Sequence, residues 1–293
     1  MREYCITTDS TSDLPQDYME QWRPPIIPLY YSFGSTLYGD EQHLSVTEFY
    51  DRMKNGELPV SQPCDPSVIE ATFRSIVEQG YDIIHIAFSS ALSGSYENAA
   101  RVARELLHEY PEASITVIDS LNASMGEGLI VMYANYLRAT DVEYRMAVNK
   151  INKFIDQVNG IFTVNDLFHL QRGGRISKVV AVVGSALSLK PTLFVSSAGT
   201  LSTSNNVMGR KKAMQALVSN VKECYMSHPN FSLPICITHA NCLEDAQTLA
   251  NMVRQELGVT NVLISNVCPT IGAHSGPGTL AIFFYGKPKQ SAK

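Results

Sequence analysis

Most of the signatures by which an isolated sequence announces its chemistry are missing from these 293 residues. Six cysteines are present, Cys5, Cys64, Cys224, Cys236, Cys242 and Cys268, but no C-x-x-C pair. That spacing indicates neither a zinc site nor a thioredoxin-like motif, so reduced core thiols and no metal are expected. A G-x-x-x-x-G-K-[ST] loop is absent, which removes the usual cradle for a nucleotide, and no cofactor is expected. The G-x-S-x-G elbow of the α/β-hydrolases is absent as well. There is no run of Lys and Arg, and with a net charge of -5 the chain is not built for nucleic acid or an anionic membrane surface. The longest apolar stretch, Val179 to Leu189, is too short to span a bilayer, and no apolar leader follows Met1, so a cytoplasmic protein without stable membrane insertion is expected.

What is present reads as an ordinary globular chain, 45% hydrophobic and 17% charged. Its length predicts two domains, divided before Gly160 into residues 1–159 and 160–293. Buried-type apolar runs alternate with amphipathic stripes, and this predicts an α/β fold of two domains, each with a mainly parallel sheet flanked by helices. Ile27 to Phe33 and Leu37 to Tyr38 predict a hairpin about Gly34-Ser35, and Leu201 to Val207 should return along Pro191 to Val195. Ser45-x-x-Glu48 has capping-box spacing, and Asp65-Pro66 supplies a helix cap and first residue after a polar loop, 60–66. Gly126-x-Gly128 lacks the third glycine of a dinucleotide fingerprint and is assigned to close helix packing. The apolar segment from Val179 to Leu189 suggests a helix buried on most sides, able to line an acyl tunnel.

The stretch Ser89-Ser90-Ala91-Leu92-Ser93-Gly94-Ser95 carries the strongest chemical hint. It joins the apolar run Ile83 to Phe88 to a long amphipathic helix, a strand-turn-helix unit whose N–H groups and hydroxyls suit a carboxylate or a single phosphate. Ser10 to Ser12 should lie at the same sheet edge, with Asp9 and Asp13 forming turns. Arg172 and Arg175 flank Gly173-Gly174 and could serve an anion or tie carbonyls across a glycine turn. His274, set among glycines in Gly272-Ala273-His274-Ser275-Gly276-Pro277-Gly278, should be reachable from a cleft.

Together with Thr8-Asp9-Ser10-Thr11-Ser12-Asp13-Leu14, Ser61-Gln62-Pro63, Leu170-x-x-Gly173-Gly174-Arg175-Ile176 and Lys190-Pro191, the serine and histidine motifs resemble the DegV family over the whole chain. The resemblance implies a two-domain carrier that holds one long-chain fatty acid and presents its carboxylate to a separate ATP-dependent kinase. It also implies that Ser61 and Ser93 donate to the carboxylate beside the Gly94 amide, with His274 near the head group; Ser10, Ser275, Arg172 and Arg175 are candidates for site lining or partner contact. Ser61 and Ser275 stand where the family often has threonine, which keeps the donor. Met208 stands where an arginine is usual, so Arg210 is the candidate for that basic contact. A serine hydrolase working through Ser93 with His274 as base is the alternative, and it needs a carboxylate to orient the histidine.

Overall fold

A computed structural model of the protein describes residues 2–39, 42–165, 167–176 and 189–292. The apolar segment from Val179 lies, as far as residue 188, outside the described residues, as does Ser177.

The first half runs β1 (Tyr4–Asp9), a 3-10 turn (Ser10–Ser12), α1 (Gln16–Trp22), β2 (Ile26–Ile27), β3 (Tyr30–Phe33), β4 (Thr36–Tyr38), α2 (Val46–Lys54), β5 (Val60–Gln62) and α3 (Pro66–Glu78). It continues through β6 (Asp82–Ala87), α4 (Ser95–Glu109), β7 (Ile115–Asp119), α5 (Met125–Ala139) and α6 (Tyr144–Ile155). Then come β8 (Val158–Thr163), α7 (Phe168–Arg172), β9 (Leu189–Val195), β10 (Leu201–Met208), α8 (Arg210–Cys224), β11 (Ile235–His239), α9 (Leu243–Leu257), β12 (Val262–Asn266), α10 (Pro269–Ser275) and β13 (Leu280–Tyr285). The local signals act as expected: Ser45 Oγ accepts the Glu48 N–H at 3.1 Å, and Asp65 accepts the Ser67 N–H at 2.8 Å. β3 and β4 form the hairpin, with Gly34 at a φ of 57° that favours glycine. A Cβ on Gly126 or Gly128 would press on Asn122 or on the Ser12 carbonyl, so both glycines serve close packing.

Two larger sheets result. The first, in the order β2-β1-β6-β7, is parallel throughout. The second, β10-β9-β8-β13-β11-β12, corrects the expectation of a mainly parallel sheet, because only β11 and β12 run parallel. The last strand, β13, inserts antiparallel to both β8 and β11, and β9 returns antiparallel along β8. All six residues of β13 are buried, and a continuous apolar run reports burial on both faces without reporting direction. A small antiparallel sheet, β4-β3-β5, makes the rest. It replaces part of the expected polar loop, since Ser61 sits on β5 opposite Tyr31.

Helices α3 and α4 cover the outer face of the first sheet, and α8 and α9 that of the second. Between the sheets lies α5, buried around nearly its whole circumference, with α6 beside it. One cluster of buried side chains therefore runs from Ile6 and Ile84 through Leu129 and Ile130 to Phe162 and Phe283. Among the described residues, no helix is long and apolar enough to cross a membrane.

Candidate functional site: a cavity between the sheets

Ligands in open α/β sheets lie beyond the carboxyl ends of the strands, and here those ends meet a deep cavity. About 880 Å³ of empty space lies within it and its open mouth. Apolar walls come from both sheets: Phe88 and Leu92 after β6, Phe162, Val195 and Leu201, and Ala281 and Phe283. Polar groups interrupt this lining, among them Ser61, Gln62, Ser93, Gly94, Arg175 and His274, with Ser124, Thr238 and Ser275.

Ser61 and His274 meet although they are far apart in the chain: Ser61 Oγ lies 2.6 Å from His274 Nε2. The other ring nitrogen, Nδ1, is buried with no hydrogen-bond partner among the described residues and rests against Gly173, where any Cβ would collide with it. Burial, with the positive charges of Arg175 and Arg172, pushes the His274 pKa down to about 4, so the ring is neutral at physiological pH. Ser93 Oγ lies 3.0 Å from Ser95 Oγ and accepts the Ser95 N–H at 3.3 Å. Gly94 caps α4 in front of it.

The arginines take up the carbonyl-tying role. Arg175 donates from Nε and Nη2 to the Leu92 carbonyl at 3.1 and 3.0 Å, and from Nη1 to the Gly173 carbonyl. Arg172 spans the Pro59 and Ala273 carbonyls, each at 2.9 Å, and so fastens α7 to the residue that precedes β5 and to α10. Desolvation lowers the pKa of both guanidinia, which remain charged.

Of the residues singled out in the sequence, Ser61, Ser93, Gly94, Arg175, His274 and Ser275 line one cavity. The Ser275 hydroxyl is buried there with no hydrogen-bond partner among the described residues. Three others stand off it. Ser10 accepts the Leu29 N–H at 3.0 Å and so acts on a wall residue rather than being one. Arg172 is described above. Arg210 pairs with Asp245 at 2.9 Å and does not line the cavity, while Met208 is exposed at the end of β10.

Asp9 and Asp13 depart from the turn-forming role expected of them. Asp9 accepts the Phe88 N–H at 2.9 Å and the Cys64 thiol at 3.4 Å. Asp13 accepts the Cys268 N–H at the head of α10 at 3.0 Å, together with the Ser124 hydroxyl. Burial raises the Asp13 pKa to about 7. Glu127, in the first turn of α5, is fully buried between the Thr8 and Thr11 hydroxyls at 2.9 and 3.0 Å, and desolvation holds its pKa well above the carboxylate range. The sequence signal for Glu127 was a single acid at the head of a mostly apolar helix.

Known proteins resemble the chain along nearly its whole length. A family model described as "Uncharacterised protein, DegV family" matches residues 4–287. A DegV domain-containing protein of Clostridium perfringens is 36% identical over 292 residues, covering 99% of this chain and 100% of its own. Among solved structures, a fatty-acid-binding DegV family protein of Streptococcus agalactiae superposes with a TM-score of 0.85 at 25% identity, over 98% of this chain and 100% of that one. The fatty acid kinase B3 protein of Streptococcus pneumoniae, loaded with linoleic acid, shares the fold with a TM-score of 0.84 at 22% identity, over 97% of this chain and 100% of that one. The chain belongs to the DegV family.

Proposed function

We propose that the protein is a fatty-acid carrier: it buries the acyl chain of a long-chain fatty acid between its two sheets, holds the carboxylate at Ser61, Ser93, Gly94 and His274, and presents it to a separate kinase for acyl-phosphate formation. The observation that carries this reading is the cavity itself, an apolar chamber with hydroxyls gathered around Ser61 and Ser93. The fatty acid bound by the Streptococcus agalactiae relative supports the ligand class. Tail burial contributes about 0.8 kcal/mol per CH₂, so hydrocarbon supplies the affinity. The head group then requires only satisfied hydrogen bonds, to which Arg175 adds positive charge.

The hydrolase alternative lacks its geometry. His274 pairs with Ser61 rather than Ser93, and among the described residues no carboxylate hydrogen-bonds Nδ1 to orient it. Partnership with a kinase fits a head group met by hydroxyls and the Gly94 amide with the Arg175 charge nearby, which hold a carboxylate without activating it. Native mass spectrometry of the purified chain should show one bound fatty acid, and incubation with ATP should give acyl phosphate only when a kinase is added. A ligand-free chain refusing added stearate, or acyl phosphate made by the chain alone, refutes the reading.

A further inference from the structure

Ser95 is 1% exposed and, unlike Ser93, is not among the residues that line the cavity. Its hydroxyl oxygen accepts the Cys64 N–H at 3.2 Å, which links the Ser93 turn to the chain that leaves β5. The contact of 3.0 Å between Ser93 Oγ and Ser95 Oγ permits a proton in either direction, and a count of hydrogen-bonding capacity decides between them. Were Ser93 to donate, Ser95 would accept from both Cys64 and Ser93. Its own proton would then be buried with only the Cys64 sulfur, a weak acceptor, within reach, whereas donation to Ser93 gives it a hydroxyl oxygen.

With Ser95 donating, every group is satisfied. Ser93 Oγ then accepts two hydrogen bonds, one from the Ser95 hydroxyl and one from the Ser95 N–H at 3.3 Å. Both Ser93 lone pairs are occupied, and the one function left is its proton. We infer that Ser95 is a positioning residue: it fixes Ser93 as an obligate hydrogen-bond donor, so that the head-group site selects an anionic carboxylate over a neutral polar head group. The assignment rests on the carrier reading above and adds to it the source of selectivity for charge.

The test compares stearate with stearyl alcohol, which shares the tail but carries a hydroxyl that can accept or donate. Binding isotherms of both ligands are measured on the wild-type chain, Ser95→Ala and Ser95→Thr. The wild type should prefer stearate. Ser95→Ala should lose roughly tenfold or more of that preference, through weaker stearate binding with alcohol binding nearly unchanged. Ser95→Thr keeps the hydroxyl and should restore the preference. An unchanged preference in Ser95→Ala overturns the inference, and so does parallel loss of both ligands, which would mark a merely structural residue. Should Ser95→Ala fail to fold, Ser95→Cys decides: its thiol is a weak donor, and undiminished preference for stearate would equally refute the assignment. If the wild type binds neither ligand, the carrier reading falls and this assignment with it; if it binds both without preference, only the selectivity argument falls.

Discussion

His274 and Asp13 titrate in opposite senses, and both lie in the polar fabric of the cavity. The folded-state pKa of His274, about 4, is below the 6.5 of an ordinary imidazole. Between those values the unfolded chain binds a proton that the folded chain refuses, so this group makes stability fall as pH drops through the window. Asp13 is raised from 3.8 to about 7, so the folded chain keeps a proton that the unfolded chain has lost, and stability falls as pH rises through that window. The windows overlap, and the slopes, each up to about 1.4 kcal/mol per pH unit, oppose one another. His274→Gln should therefore tilt the urea-unfolding profile toward lower stability at higher pH, relative to wild type, over the overlap. Asp13→Asn should tilt it the other way. Parallel profiles for all three chains would show that burial does not shift these groups as described.

At the scale of elements, the site depends on how tightly α7 and α10 fit together. Gly173 ends α7 at φ -75° and ψ -7°, a backbone that alanine adopts freely, so its need for glycine is steric and comes from His274. Gly174, at φ 73°, is different: there the backbone itself favours glycine. Gly173→Ala should displace the imidazole, loosen its contact with Ser61 and destabilise the chain by roughly 1–3 kcal/mol. Adding His274→Ala should recover most of that loss, and urea midpoints of the four chains in the cycle measure it. Additive losses would mean that the two residues do not compete for one space. Local chemistry of this sort divides what could be read in the sequence from what could not. The Ser45 and Asp65 caps, the hairpin at Gly34 and the strand-turn-helix at Ser93 are decided within a few residues and were legible. The inward reach of Asp9 to Phe88 and of Asp13 to Cys268 was not, because an aspartate that closes its own turn and one that holds a distant N–H look alike in sequence. Ser95 was hidden for the same reason, its partner Cys64 lying 31 residues away. The direction of β13 was hidden because alternation and burial carry no polarity.

Over the whole molecule, the cavity ties the two sheets together, and so does the hydrophobic core. The cluster around α5 draws on β1 and β6 from one sheet and on β8, β11 and β13 from the other. Leu129, fully buried in that helix, belongs to both halves at once. Neither sheet keeps its inner face covered if the other unfolds, so the chain should unfold as one cooperative unit. The single tryptophan gives a convenient check, since Trp22 stacks on Tyr18, and Tyr18 accepts from Asn135 of α5 at 3.0 Å. Its fluorescence reports the first half, whereas far-ultraviolet circular dichroism reports both. The two midpoints should coincide in urea, and Leu129→Ala, at a cost of roughly 2–5 kcal/mol, should move them together. A fatty acid lodged between the sheets should also raise both equally, by about 2.7 kcal/mol at a hundred times its dissociation constant. Separate transitions would show that each half holds its own core. A ligand that stabilised only the fluorescence transition would place the acyl chain against the first sheet alone, leaving Phe162, Ala281 and Phe283 as packing rather than as the far wall of a binding site.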